Sequence, residues 1–161
     1  RLESLTGVVG GDMRNGRTVH SLLRGLSLYK GNTIYLLSPK ELQLPEALKK
    51  EITGRGVILH EIESEKELPK NAQFWYWTRV QKERFEDIKQ YEAVKNRFVV
   101  TPELLKEYAS DDMILMHPLP RVGEIETSVD EDPRAVYLRQ EMQNGMYIRM
   151  ALMALVLGRA L

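Results

Sequence analysis

The sequence predicts an α/β fold built on a five-stranded parallel sheet with helices on both of its faces. Two observations carry that expectation. Short apolar runs rich in β-branched and aromatic residues alternate with segments whose apolar residues recur at helical spacing. One of those runs, Ala72 to Trp77 (AQFWYW), is almost unbroken and reads as a strand buried on both faces. Strands alternating with helices imply right-handed crossovers and a parallel sheet, a Rossmann-like three-layer arrangement.

Leu5 to Gly10 (LTGVVG) is the first strand, closing in glycines. After the loop Gly11 to Gly16, a helix begins at Arg17 with Val19, Leu22, Leu23 and Leu26 on one face. Lys30-Gly31-Asn32 ends it, and Thr33 to Ser38 (TIYLLS) is the second strand. Pro45 can open the next helix at its first position, which Gly54 and Gly56 close. Val57 to Ile62 is a weaker third strand, followed by one helical turn at Ser64 to Leu68. Ala72 to Trp77 is the fourth. A charged helical region then carries Ile88, Tyr91 and Val94 towards a short extended piece at Phe98 to Val100. Thr101-Pro102-Glu103 starts a helix by a capping residue followed by proline, and Met113 to Met116 is the fifth strand. Beyond the rigid stretch His117 to Arg121, a helix is expected from about Pro133, then a break at Asn144-Gly145 and a last helix to Arg159. That last helix is apolar on nearly every side, with only Arg149 interrupting Met146 to Leu157, so it wants cover from more than its own sheet.

The 161 residues suit one domain, 1–161. Lys plus Arg and Asp plus Glu balance at 23 each, which excludes a general pull towards nucleic acid or an anionic membrane. Cysteine is absent, so there is no disulfide framework and no thiolate metal site; this fits a reducing, cytoplasmic setting. The opening RLESLTGVVGG is too polar for a signal peptide. The apolar run Ala151 to Leu157 falls far short of the ~20 residues that span a bilayer.

Three polar clusters each follow a strand: Asp12 to Thr18, Thr78 to Arg84 and His117 to Arg121. In a parallel sheet those three strand ends share one edge, where ligands bind in open α/β folds. The first cluster mimics a nucleotide phosphate loop, G-x-x-x-x-G-K-[ST], but arginine replaces the lysine and no later strand ends in a magnesium-holding aspartate. What remains is a helix N-terminus with free N–H donors, where Arg17 and Thr18 make a seat for a carboxylate or phosphate. In the second cluster Arg79 and Gln81, two apart in an extended segment, face the same way and suit a planar carboxylate. Lys82, Glu83 and Arg84 are support, with Glu83 able to hold an arginine fork. In the third, Pro118 and Pro120 force His117 and Leu119 to be extended and remove two N–H donors, leaving fixed carbonyls for an amine or amide. His117 is as consistent with packing behind the loop as with catalysis, and His20 and His60 read as structural. The set fits a small ligand with two carboxylates and an amine, and it contains no nucleophile, carboxylate pair or metal cluster. An enzyme segment, a stand-alone module binding an acidic amino acid, and an interaction protein all remain open on these residues.

Gly11-Asp12-x-x-x-Gly16-Arg17-Thr18-Val19-His20-Ser21-Leu22, Thr78-Arg79-Val80-Gln81-Lys82-Glu83-Arg84 and His117-Pro118-Leu119-Pro120-Arg121, with the tail from Asn144-Gly145 through Arg149 to Leu152, resemble the aspartate-binding half of the aspartate carbamoyltransferase family. Order and spacing agree over essentially the whole chain, and the ornithine-specific relative lacks the arginine–glutamine signature. The resemblance implies that Arg17, Arg79 and Gln81 bind L-aspartate and that the backbone of Leu119 and Pro120 contacts carbamoyl phosphate. It implies support from Thr18, His117, Glu83 and Arg84, with no metal or organic cofactor. The reaction implied is transfer of the carbamoyl group to the aspartate amine in pyrimidine biosynthesis. The family's carbamoyl-phosphate half, with its Ser-Thr-Arg-Thr-Arg loop and His-x-x-Gln pair, is absent from this sequence. The terminal helix, about 143–161, is therefore expected to pack on that missing domain, in a homotrimer of full catalytic chains with or without regulatory subunits.

Overall fold

A computed structural model describes residues 2–82, 85, 87–95 and 97–158. The chain runs β1 (Thr6–Gly10), α1 (Arg17–Leu26), β2 (Thr33–Leu37), α2 (Glu46–Gly54), β3 (Ile58–Ile62), β4 (Phe74–Trp77), α3 (Ile88–Val94), α4 (Pro102–Tyr108), β5 (Ile114–Met116) and α5 (Gln140–Val156). The strands form one sheet in the order β3-β2-β1-β4-β5, and every neighbouring pair is parallel. The expected α/β, Rossmann-like three-layer domain with a five-stranded parallel sheet and helices on both faces is the fold observed.

Side-chain alternation along the strands divides the core in two. Val9, Ile34, Leu36, Phe74 and Tyr76 pack under α1 and α2 with Val19, Leu23, Leu26, Leu48 and Ile52. Val8, Leu37, Trp75, Trp77 and Leu115 face the other way, onto Leu104 and Leu105 of α4 and onto Phe98, Val100 and Ile125. β4 feeds both layers because successive residues of a strand point to opposite faces. Its bulk is accommodated by glycines in β1: a Cβ at Gly7 would lie 2.1 Å from the Phe74 ring, and one at Gly10 2.6 Å from the Trp77 ring. The Trp77 indole N–H is satisfied by the Phe98 carbonyl at 3.2 Å.

Local signals place most boundaries. Thr101 caps α4 by accepting the Leu104 N–H at 3.2 Å, with Pro102 at the first position. The turn expected at Ser64 to Leu68 is the 3-10 segment Glu65–Glu67, closed by a reciprocal Ser64–Glu67 capping box. Pro45 stands one position outside α2 rather than at its start.

The chain after β5 departs from the expectation of a helix from about Pro133. Leu115 N–H donates to the Arg134 carbonyl at 2.7 Å, and Val136 N–H donates to the Leu115 carbonyl at 3.1 Å. Residues 134–136 are thus drawn alongside β5 as a parallel bridge, covering the sheet's edge, and a helix over the same residues would forfeit those bonds. The break expected at Asn144-Gly145 is likewise absent. α5 passes straight through it, because nothing crowds Gly145 and an interior glycine costs a helix only about 1 kcal/mol. No residue of α5 is buried: Ile148 is 62%, Met153 64% and Leu155 68% exposed. Among the described residues, no helix is long and apolar enough to cross a membrane.

Candidate functional site at the carboxyl edge of the sheet

The strand order reverses between β1 and β4, and a crevice opens outside the carboxyl ends of strands at such a point. The loop after β1 and the loop after β4 meet there. Thr78 N–H donates to the Gly10 carbonyl at 2.9 Å, and its Oγ1 accepts the Asp12 N–H at 3.3 Å. Gly11 lies between with φ 114°, and a Cβ on it would stand 2.1 Å from the Thr78 carbonyl oxygen. Only glycine satisfies both the dihedral and the approach. Asp12, fully buried, accepts the Asn15 N–H at 2.8 Å and folds the loop back onto the start of α1.

α1 therefore opens at the crevice with Gly16 as its cap, no side-chain cap and no acid in its first turn. Arg17 and Thr18 are exposed there. Thr18 at the helix start lies beside the Tyr76 hydroxyl of β4. Burial pushes the Tyr76 phenol up, opposed by Thr18 and reinforced by the Glu141 carboxylate nearby.

Arg79 and Gln81 leave β4 half-buried, with Val80 between them buried against Leu42 and Val94. Arg79 lines a cavity of about 310 Å³ with Tyr91, Lys95, Gly123, Glu124 and Glu126. Glu83 and Arg84 lie outside the described residues.

The third cluster follows β5, which pairs with β4 up to Tyr76 and Met116. His117 follows the strand directly and is buried at 2% exposure. Leu119 departs from the expected extended conformation: its φ is 44°, and the Leu119–Pro120 peptide is cis. The Leu119 N–H turns back to donate to His117 Nδ1 at 2.9 Å. An Nδ1 that accepts leaves the ring proton on Nε2, which donates to Glu124 Oε1 at 2.7 Å. The other Glu124 oxygen accepts the Val122 N–H at 3.0 Å. Burial alone would raise the Glu124 carboxyl, but these bonds and that to its own backbone together hold it below the usual carboxylate range. At the opposite end of the loop, the His117 N–H donates to Glu141 Oε2 at 2.9 Å, and burial outweighs that bond to push the Glu141 carboxyl up. Arg121 closes the loop on Asp130, which also accepts from the Tyr137 hydroxyl at 2.6 Å. Pro118 and Leu119 line a second cavity, of about 370 Å³, with His117, Glu141, Gly145 and Arg149.

The sheet edge thus gathers the three clusters. Arg79 and Leu119 line separate cavities, and neither of the two is lined by Arg17 or Gln81. Tyr76, Glu124 and Glu141 are among the polar groups that sequence reasoning did not single out. Strand alternation could have put Tyr76 under the start of α1; nothing local marks Glu124 or Glu141, which act across the loop. Of the histidines read as structural, His20 bonds the Met13 carbonyl at 2.9 Å and His60 stacks on Tyr35. Among the described residues, no cluster of three or more His, Cys, Asp or Glu side chains is placed to ligate a metal ion.

The fold is a parallel α/β sheet with arginine-bearing loops at its switch point and a proline loop beside them. The chain belongs to the aspartate/ornithine carbamoyltransferase family, whose Asp/Orn binding domain matches residues 3–156. It is 48% identical over 157 residues to the multifunctional protein pyr1-3 of Dictyostelium discoideum, covering 98% of this chain and 7% of that one. It is 47% identical over 160 residues to the aspartate carbamoyltransferase catalytic subunit of Clostridium perfringens strain 13, covering 99% of this chain and 52% of that one. Among solved structures, the catalytic subunit of M. jannaschii aspartate transcarbamoylase superposes with a TM-score of 0.86 at 38% identity, over 95% of this chain and 50% of that one. Aspartate transcarbamoylase from Trypanosoma cruzi with N-(phosphonacetyl)-L-aspartic acid superposes with a TM-score of 0.78 at 37% identity, over 95% and 49%. The chain spans about half the length of the catalytic subunit and structures it matches, and a small fraction of the multifunctional relative.

Proposed function

We propose that this chain is the aspartate-binding half of a carbamoyltransferase that converts L-aspartate and carbamoyl phosphate to N-carbamoyl-L-aspartate and phosphate in de novo pyrimidine biosynthesis. The observation that carries the reading is the meeting of all three polar clusters at the carboxyl edge of the sheet, beside its switch point. Arg17 and Arg79 grip the two carboxylates of aspartate, and Gln81 assists. Each charge-assisted contact contributes about 1.5–3 kcal/mol. The backbone of Leu119 and Pro120 holds the carbamoyl group; Thr18 and His117 support the site, as do Glu83 and Arg84 on Arg79. The aspartate nitrogen attacks the carbamoyl carbon, a C–N bond forms, the bond to the phosphate oxygen breaks, and the nitrogen loses a proton. Orienting the amine against the carbamoyl carbon is this half's contribution. Its partner is a carbamoyl-phosphate half. The uncovered apolar surface of α5 supports packing of the terminal helix, about 143–161, on that half. The full chain works as a cytoplasmic homotrimer.

The test joins the chain to a carbamoyl-phosphate half and follows turnover. The joined protein is expected to be active and the 161-residue chain alone inactive. Arg79→Ala is expected to lower kcat/KM for aspartate by about 100-fold, with KM for carbamoyl phosphate little changed. Unchanged aspartate use would remove Arg79 from the site. Tight calorimetric binding of aspartate or succinate by the chain alone would instead favour a stand-alone acidic amino-acid module.

A further inference from the structure

We propose that His117 is a positioning residue that sets both halves of the site at once, its Nδ1 fixing the Leu119 backbone and its Nε2–H fixing Glu124 in the cavity that Arg79 lines. The inference rests on the carbamoyl-transfer reading and assigns the coupling between its two substrate positions to one imidazole.

Three contacts support it. Leu119, at φ 44°, has its N–H held by His117 Nδ1 at 2.9 Å, so the ring fixes the Pro118–Leu119 peptide from which the Leu119 backbone turns. The same ring holds Glu124 Oε1 at 2.7 Å, and Glu124 is a wall of the Arg79 cavity. The ring itself cannot drift, being 2% exposed, packed edge-on to Tyr137 at 6.3 Å, and anchored through its backbone N–H to Glu141. A buried imidazole whose two nitrogens serve different partners has one productive tautomer, and a movement of either partner reaches the other. His117 touches neither ligand in this arrangement and acts through Leu119 and Glu124.

The two nitrogens are separable by substitution. In His117→Asn the amide oxygen can replace Nδ1 towards Leu119, while the reach to Glu124 is lost. In His117→Gln the amide nitrogen can replace Nε2–H towards Glu124, while the acceptor for Leu119 is lost. In the chain joined to a carbamoyl-phosphate half, His117→Asn is expected to raise KM for aspartate about tenfold with KM for carbamoyl phosphate little moved. His117→Gln is expected to do the reverse, with kcat falling as well. Active parent enzyme with both variants altered alike, or unaltered, overturns the proposal and leaves the carbamoyl-transfer reading intact. A parent without turnover overturns that reading and this role with it. Independently of the variants' folding, long-range 1H–15N spectra of the 161-residue chain are expected to show His117 protonated at Nε2 and bare at Nδ1. A ring protonated at Nδ1 overturns the proposal outright.

Discussion

The chemistry of the edge depends on a few residues whose neighbours leave them no alternative. Gly11 is the clearest: it combines φ 114° with a virtual Cβ contact of 2.1 Å to the Thr78 carbonyl. Gly11→Ala is expected to destabilise the fold by about 3 kcal/mol, through backbone strain and a displaced Thr78. A denaturant midpoint within error of the parent's would contradict this. The predicament is specific to backbone approach, which explains why Gly25 and Gly145, inside helices and with nothing near a virtual Cβ, carry no such constraint.

At the scale of elements, the loop after β5 is held as a unit by carboxylates arriving from elsewhere. Asp130, on the 3-10 segment Thr127–Glu131, takes the two guanidinium nitrogens of Arg121 and the Tyr137 hydroxyl. The Arg121 bonds, against burial and aided by Tyr137, hold the Asp130 carboxyl below its ordinary range. A carboxyl depressed in the folded state binds its proton more readily when unfolded. Its stabilisation is therefore present above the ordinary carboxylate pKa of about 3.9 and is lost as pH falls through the lowered folded value. Asp130→Asn is expected to destabilise the protein at neutral pH, with the gap from the parent narrowing as pH falls below about 3.9. Urea midpoints across that range decide it, and a gap independent of pH would show that the contacts are steric rather than ionic.

For the whole molecule, the main feature is an uncovered terminal element. α5 contributes no buried residue, and Met146, Ile148, Leu152 and Leu155 are each more than half exposed. Contiguous apolar surface of that kind marks an interface. The chain alone is expected to bind a hydrophobic dye, and joining it to a carbamoyl-phosphate half is expected to abolish most of that signal. Dye binding that survives the joining would show that α5 docks elsewhere.

Much of this architecture was legible in the residues. Hydrophobic periodicity marks strands and helices by their contacts with the chain's own neighbours, so β1 to β5 and α1 to α4 could be read locally. The same period of two that buries Trp75 and Trp77 on one face puts Phe74 and Tyr76 on the other. The three polar clusters could be placed on one edge because a parallel sheet puts every strand's carboxyl end there. What could not be read is what distant partners decide. Residues 134–136 pair with Leu115 instead of beginning a helix, because β5 offers an open row of hydrogen-bonding groups that the local pattern does not contain. Leu119 turns to φ 44° with its N–H donated to His117, and His117 is held by Glu124 and Glu141 from across the loop. The sequence by itself determined the fold class, the edge at which the three polar clusters meet and the family to which the chain belongs. Only the tertiary structure decided how the loop's hydrogen bonds close, because those bonds join groups whose meeting depends on the completed fold.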